Sequence, residues 1–151
     1  MERQNSVYVR MLEDVLKKKE HLLRDILERT REQEALLKQE ELDQERFHEI
    51  LEEKGRWIEA LNEMDEGFDT LFAKVESEIR SHKDQYKENI QRMQKSIVIV
   101  SEYGMKIQAL ENQNSERLKA YLSAERKKIR EYHMNSQTAS RYYRNMTNTH
   151  I

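Results

Sequence analysis

Residues 47 to 75 read FHEILEEKGRWIEALNEMDEGFDTLFAKV, and their seam positions alternate in steps of three and four residues. This spacing turns one face of an α-helix toward a neighbouring helix and is typical of a coiled coil. The stretch therefore predicts a long amphipathic helix that packs along a thin seam. The predicted seam consists of Phe47, Ile50, Lys54, Trp57, Leu61, Met64, Phe68, Leu71, Val75 and either Glu78 or Ile79.

Lys54 occupies a seam position that normally holds an apolar residue, and Gly55 lies beside it. A polar residue in a seam can fix the register of the helices. Alternatively, the lysine can lay its methylene groups along Phe47 and Trp57 while its ammonium reaches Glu53 or a glutamate across the bundle. We predict that Lys54 and Trp57 set the seam register. Gly55 and Gly67 each cost about 1 kcal/mol relative to alanine, which suggests close helix approach or local bending.

Two further apolar stripes predict two further helices. The first stripe runs through Tyr8, Leu12, Val15, Leu22 and Ile26, with Leu16, Leu23 and Leu27 on its flank, and the other begins Tyr86, Ile90, Met93, Ile97 and Val100. The first helix is expected at 6–40, and Asp43 is a plausible N-cap for the second at 43–80, because a short carboxylate accepts a free backbone N–H. Ser81 and Asp84 have the spacing of a capping box before a third helix at 84–133. The apolar period stops after residue 133, so residues 136–151 are predicted to form a flexible tail.

Short turns between these helices predict an antiparallel arrangement in which the third helix runs parallel to the first. We therefore expect an all-α fold, a long antiparallel three-helix coiled-coil bundle over residues 1–135. The third helix is the longest, so its C-terminal end is predicted to overhang beside the first turn. Residues 32–79 hold 16 acidic against 5 basic residues, and residues 119–151 hold 7 basic against 2 acidic. The overhang and the acidic turn are thus expected to attract each other, weakly and in a salt-dependent way.

The sequence argues against several classes of function. It has no Gly-rich phosphate loop, no G-x-S-x-G and no H-E-x-x-H, so we expect no enzyme, no catalytic residue and no cofactor. A Glu45–His48 pair lacks the second E-x-x-H that a di-iron bundle needs, so no metal is expected. The longest apolar run is IVIV at 97–100, and the start MERQNSVYVR lacks a secretory apolar segment. A cytoplasmic protein without stable membrane insertion is expected, and the acidic balance disfavours nucleic acid.

Apolar residues on the predicted overhang have fewer helices to bury them. They are the first candidate for a partner-binding site, since an exposed apolar helix face commonly marks one. The two adjacent tyrosines of RYYR, residues 141 to 144, favour a second binding element in the tail. The overhang candidates are Leu118, Tyr121, Leu122, Ile129 and Tyr132.

Three stretches of the chain resemble the FlgN-type flagellar export chaperones, most closely the clostridial-type members. The first runs from 32 to 72 and contains EQEALLKQEELDQERF followed by a helix with lysine and an apolar pair. The second is IQALENQNSERLKAYLSAERKKI, residues 107 to 129, and the third is TASRYY, residues 138 to 143. In the first stretch the resemblance is carried by Glu34, Leu36, Leu37, Asp43, Ile50, Lys54, Ile58 and Leu61.

This resemblance implies a cytoplasmic type III export chaperone for hook–filament junction proteins. Such a chaperone would hold the C-terminal amphipathic helices of these clients, prevent premature assembly and deliver them to the flagellar export gate. Tyr142 and Tyr143 are the implied export-gate docking residues. The implied client-binding residues are Ile107, Leu110, Asn114, Leu118, Tyr121, Leu122, Ile129 and Tyr132.

Two alternatives stay open at this point. One is a structural homodimeric coiled coil, in which a second copy covers the overhang and no export client binds. The other is an adaptor for a different target. The patterns of a single sequence are compatible with either.

Overall fold

A computed structural model describes the backbone of residues 2–147 and the side chains of residues 5–132. The described backbone forms three helices: α1 (Glu2–Leu37), α2 (Gln44–Ser81) and α3 (Lys87–Thr147). The predicted all-α helical bundle is confirmed. The chain divides into two compact units, Met1–Asn112 and Gln113–Ile151. Within the first unit, α1 and α2 share side-chain contacts with α3 as far along as Glu111. The boundary expected after residue 135 stays a prediction.

Ion pairs between helices establish their directions within the first unit. Lys19 near the middle of α1 contacts Asp65, whereas Glu32 near the end of α1 contacts Arg46 at the start of α2. Helix α2 is therefore antiparallel to α1. Asn89 and Arg92 at the start of α3 both bond to Glu13 on α1. Since Thr30 of α1 bonds to Glu111 later in α3, this part of α3 runs parallel to α1, as predicted.

The main apolar core lies where the start of α1, the end of α2 and the start of α3 meet. Phe68 and Phe72 border it as stacked rings whose centroids are 6.1 Å apart. Because the core is only a thin seam between three helices, relatively few side chains stabilise the fold through complete burial. The core residues are Val9, Leu12, Leu16, Val75, Ile79, Tyr86 and Met93.

The predicted seams differ from the buried faces by one residue at several positions. On α1, Leu16 and Leu23 are buried, whereas Val15 and Leu22 are only half-buried. On α3, Ser96 is buried and the predicted seam residue Ile97 is half exposed. A straight α-helix has 3.6 residues per turn, so its buried face drifts from a stripe extrapolated at 3.5 residues per turn.

The helix ends confirm one predicted cap and correct another. Asp43 caps α2, since its carboxylate accepts a hydrogen bond from the backbone N–H of Arg46 at 3.1 Å. The capping box at Ser81 is wrong. The N–H of His82 bonds to the carbonyl of Glu78 at 3.0 Å, which keeps Ser81 as the last helical residue of α2. The turn occupies residues 82–86, and α3 begins at Lys87 instead of residue 84.

Two other predicted helix ends are also shifted. Helix α1 ends at Leu37, about one turn before the predicted position. Helix α3 continues to Thr147, although its end was predicted at residue 133. The segment after residue 133 contains neither proline nor glycine, so the loss of apolar periodicity there does not prevent helical backbone. The predicted flexibility of residues 136–151 stays a prediction.

The turn between α1 and α2 is held by Arg46, whose guanidinium donates to Glu32 on α1 and to Glu49 on its own helix. The hydrogen bond from Arg46 lowers the pKa of Glu32 below its ordinary value of 4.5. The same two carboxylates raise the pKa of Arg46. The pair therefore links the first turn of α2 to the last turns of α1 through charge.

We expect Glu32→Gln to destabilise the protein more at about pH 7 than at about pH 3. A carboxyl group with a lowered folded-state pKa stabilises the fold above its unfolded pKa and loses that effect as the pH falls through the folded value. Urea unfolding at both pH values measures the difference. Exposed Glu28, one turn earlier on α1, supplies the control Glu28→Gln. An equal loss for Glu32→Gln at both pH values would contradict the expectation.

Candidate helix-binding groove

An apolar groove runs along the first unit and is lined by all three helices. The part lined by Leu23 and Gly104, called the upper part, has a cavity volume of about 400 Å³. The part lined by Leu16 and Phe68, called the lower part, has a cavity volume of about 390 Å³. The two parts adjoin, since their linings are one helical turn apart at Lys19 and Leu23, and at Val100 and Gly104. We call the two parts together the central groove. Its principal apolar lining is Val15, Leu16, Leu23 and Ile26 from α1, Leu51, Ile58, Leu61 and Phe68 from α2, and Ile97, Val100 and Ile107 from α3.

The floor and the rims of the central groove differ in burial. Leu23 and Ile26 of α1 are buried and form the floor. On the α2 rim, Leu51 is 49% exposed and Ile58 is 47% exposed. Large apolar side chains with this exposure next to a cavity present a surface that a further apolar element can cover.

Two glycines keep the upper part of the groove open. Gly55 on α2 and Gly104 on α3 both line it. A Cβ added at either position would have no heavy atom within 4 Å, and the same holds for Gly67. The close helix approach suggested for Gly55 and Gly67 is therefore wrong. At Gly55 and Gly104 the missing side chain leaves open volume where a larger residue would project into the groove.

Lys54 lies at the edge of the groove and is the centre of a buried polar cluster. Its ammonium donates to Gln33 Oε1 on α1 at 2.6 Å and to Glu111 Oε1 on α3. The same Glu111 oxygen lies 3.2 Å from Thr30 Oγ1 on α1. The prediction that Lys54 reaches a glutamate across the bundle is confirmed. Glu53, the other candidate, instead accepts a hydrogen bond from Arg29.

This cluster ties the three helices together at one level. Thr30, Gln33 and Lys54 are buried, and each has a hydrogen-bonding group of the cluster within reach. A shift of one helix along another would move the acceptors away from the buried ammonium of Lys54. The lysine therefore favours the one helix register in which its hydrogen bonds form. Trp57, the other predicted register residue, is half-buried on the same helix.

Sequence reasoning missed Thr30 and Gln33 because they lie within the polar run ERTREQE. A signal was present. Ile26, Thr30 and Gln33 follow one another at steps of four and three, which continues the α1 seam with polar residues. A buried lysine in the α2 seam requires hydrogen-bond acceptors on the facing helices. Gln33 is such an acceptor, and Thr30 bonds to Glu111, which is the other one.

The predicted client-binding residues differ in how far they are buried. Ile107 lines the central groove, Leu110 is half-buried, and buried Asn114 accepts a hydrogen bond from Arg117 at 3.3 Å. Leu118 and Tyr121 are half-buried. The remaining three are exposed, namely Leu122 at 42%, Ile129 at 55% and Tyr132 at 72%.

Four of these residues share one face of α3 in the second unit. Leu118, Leu122, Ile129 and Tyr132 follow one another at steps of four, seven and three residues, and Glu125, which pairs with Lys128, occupies the position between Leu122 and Ile129 on the same face. We call this set the α3 stripe. Tyr142 and Tyr143, the predicted export-gate residues, lie outside the residues whose side chains are described, and their role stays a prediction.

The described part of the chain contains no group of three or more His, Cys, Asp or Glu residues that could hold a metal ion. His48 is exposed, and its Nε2 lies 3.1 Å from Glu52 one turn later on α2. Among the described helices, none combines the length and apolar character that a membrane crossing requires.

Neither a protein-family model, nor a curated protein, nor a solved structure matches this chain.

Proposed function

We propose that this protein is a cytoplasmic chaperone of flagellar type III export. It would hold the C-terminal amphipathic helices of hook–filament junction proteins, prevent their premature assembly and deliver them to the export gate. The observation that carries the proposal is the α3 stripe, where large apolar side chains are 42% to 72% exposed at Leu122, Ile129 and Tyr132. The resemblance described above supplies the class of client.

The α3 stripe suits a helical client for a geometric reason. An amphipathic helix buries a face whose anchors recur every three or four residues, and a helix with the same spacing can interdigitate with it. The stripe covers about four turns, which is about 21 Å. Coverage of the client's apolar face would by itself block self-assembly, so the mechanism needs binding and release only.

Charges beside the stripe would orient the client. Lys119, Arg126 and Arg130 lie along one edge of the α3 stripe and Lys128 lies along the other, and all four are exposed. A client helix with acidic residues beside its apolar face would be preferred over one with basic residues there. Export-gate docking would use Tyr142 and Tyr143, so that the client and the gate bind at different positions.

The double substitution Leu118→Asp with Leu122→Asp is expected to abolish client binding and to leave helicity near that of the wild type. Two carboxylates on the stripe would have to be desolvated against an apolar client face. Binding is measured by pull-down with a purified full-length hook–filament junction protein from the same cells. Circular dichroism measures helicity.

A matched control carries the same charges at the same spacing on the opposite face. Ala120 and Ala124 are exposed, so Ala120→Asp with Ala124→Asp should retain client binding. If the stripe variant captured the junction protein as well as the control did, the α3 stripe would not be the client site. If the wild-type chain, tagged in cells that are building flagella, retained no hook–filament junction protein, the proposed function would be wrong.

A further inference from the structure

We propose that the central groove of one copy binds the segment 118–132 of a second copy, so that two chains form a reciprocal dimer. The docking segment carries the α3 stripe, and the groove receives it as an additional helix. Such an exchange uses the same pair of surfaces twice, as expected for a dimer with two-fold symmetry. Apolar character, length and charge each support this occupant.

The groove and the docking segment match in apolar character and in length. The α3 side of the groove extends from Ile97 to Glu111, and the docking segment from Leu118 to Tyr132. Each spans about 15 residues and therefore about 21 Å along a helix. A stripe of this length would cover the exposed side chains Leu51 and Ile58 on the groove rim.

The charges beside the two surfaces are opposite. Between residues 57 and 73, α2 carries five acidic residues and no basic one, and Asp65 and Asp69 line the groove. One edge of the docking segment carries Lys119, Arg126 and Arg130, Lys128 lies on the other edge, and Glu125 on the stripe pairs with Lys128. The segment from 118 to 132 holds five basic and two acidic residues, so a basic segment meets a groove with an acidic rim.

The opposite rim of the groove adds no repulsion. On α3 the exposed positions beside the groove include Ser101, Met105 and Gln108, all of them uncharged. Met105 is 71% exposed and offers a further flexible apolar contact. The basic edge of the docking segment is thus attracted to α2 without a basic rim opposing it on α3.

We assign the docking segment to a second copy, because every chain carries both the groove and the stripe and a two-fold exchange covers both surfaces at once. If the α3 stripe also holds clients, which rests on the proposed function, a client would compete with the second copy.

The first experiment fills the groove without disturbing the fold. Gly104→Leu places a side chain in the open part of the groove, and Gly67→Leu is the matched control because Gly67 has equally open surroundings but does not line the groove. Sedimentation equilibrium of the full-length chains over a concentration series measures the dimer Kd. We expect Gly104→Leu to raise the Kd by about tenfold or more and Gly67→Leu to leave it within about twofold.

The second experiment exchanges the charges. Glu66→Lys with Asp69→Lys in α2, or Arg126→Glu with Arg130→Glu in α3, should each raise the dimer Kd by about tenfold. A chain that carries all four substitutions should recover most of the wild-type affinity, since attraction is restored with reversed signs. This recovery also shows that the single-side variants are folded.

Three results would overturn the inference: a wild-type chain that stays monomeric at every concentration, a dimer unaffected by Gly104→Leu, and charge variants that fail to restore each other. The proposed function is tested separately. A monomeric chain that captures a hook–filament junction protein would overturn only the dimer, whereas a dimer that captures none would overturn only the chaperone proposal.

Discussion

Replacement of Glu111 by leucine is expected to lower the free energy of unfolding by about 2–3 kcal/mol, more than replacement of both Glu111 and Lys54 by leucine. The side chain of Lys54 is 6% exposed, so the single substitution leaves a buried ammonium with Gln33 as its remaining neutral acceptor. The side chain of Glu111 is 40% exposed, which screens part of the attraction and places the expected loss at the lower end for a broken buried pair.

The double variant removes the buried charge together with its partner. Leucine at residue 54 would pack in the seam beside Ile50 and the groove residue Ile58, so a well-packed apolar pair should recover most of the stability. Urea unfolding of the wild type, both single variants and the double variant gives a coupling free energy, expected at about 1–2 kcal/mol.

The more exposed ion pair between Lys19 and Asp65 provides a comparison, since it also connects α1 and α2. Asp65→Leu is expected to change the free energy of unfolding by about 1 kcal/mol or less. If Glu111→Leu were no more harmful than Asp65→Leu, the polar cluster around Lys54 would not be a significant source of stability.

Truncation of Leu12 to alanine is expected to lower the free energy of unfolding by about 2–5 kcal/mol. Leu12 is 0% exposed and belongs to the core in which the three helices meet. The substitution removes buried methyl groups and leaves a cavity. A fold built on a thin seam has few other completely buried apolar side chains to compensate for such a loss.

Met11, the preceding residue on α1, is the matched control because its side chain is 43% exposed. Met11→Ala keeps the helix propensity comparable and should cost less than about 1 kcal/mol. Thermal and urea unfolding of both variants, followed by circular dichroism, measure the difference. Similar losses for the two variants would mean that the α1 core face is not where the structure places it.

The helical architecture could be predicted because its causes are local. Apolar residues at steps of three and four along residues 47–75 permit only a helix with one packed face. Asp43 caps α2 through a backbone N–H three residues away, and short turns leave antiparallel packing as the available arrangement. The unusual position of Lys54 also indicated a partner across the bundle.

Positions that depend on how the helices rotate and separate could not be predicted. Ser96 and Ile97 are neighbours on one helix, and only the orientation of α3 toward α1 and α2 decides that serine is buried. Likewise, the local chain offers Glu53 to Lys54, but Glu53 bonds to Arg29 and the distant Glu111 is the partner.

The central groove also combines features that the sequence shows with features that only the tertiary structure shows. Gly55 and Gly104 are visible in the sequence as unfavourable residues inside helices, and one proposed reason for Gly55, close helix approach, proved wrong. The sequence by itself determined the helices, their directions and the charge of their faces, because these follow from spacing along one chain. The tertiary structure alone decided that the two glycines border one groove and that Gln33, Lys54 and Glu111 meet, because these relations depend on distances between helices.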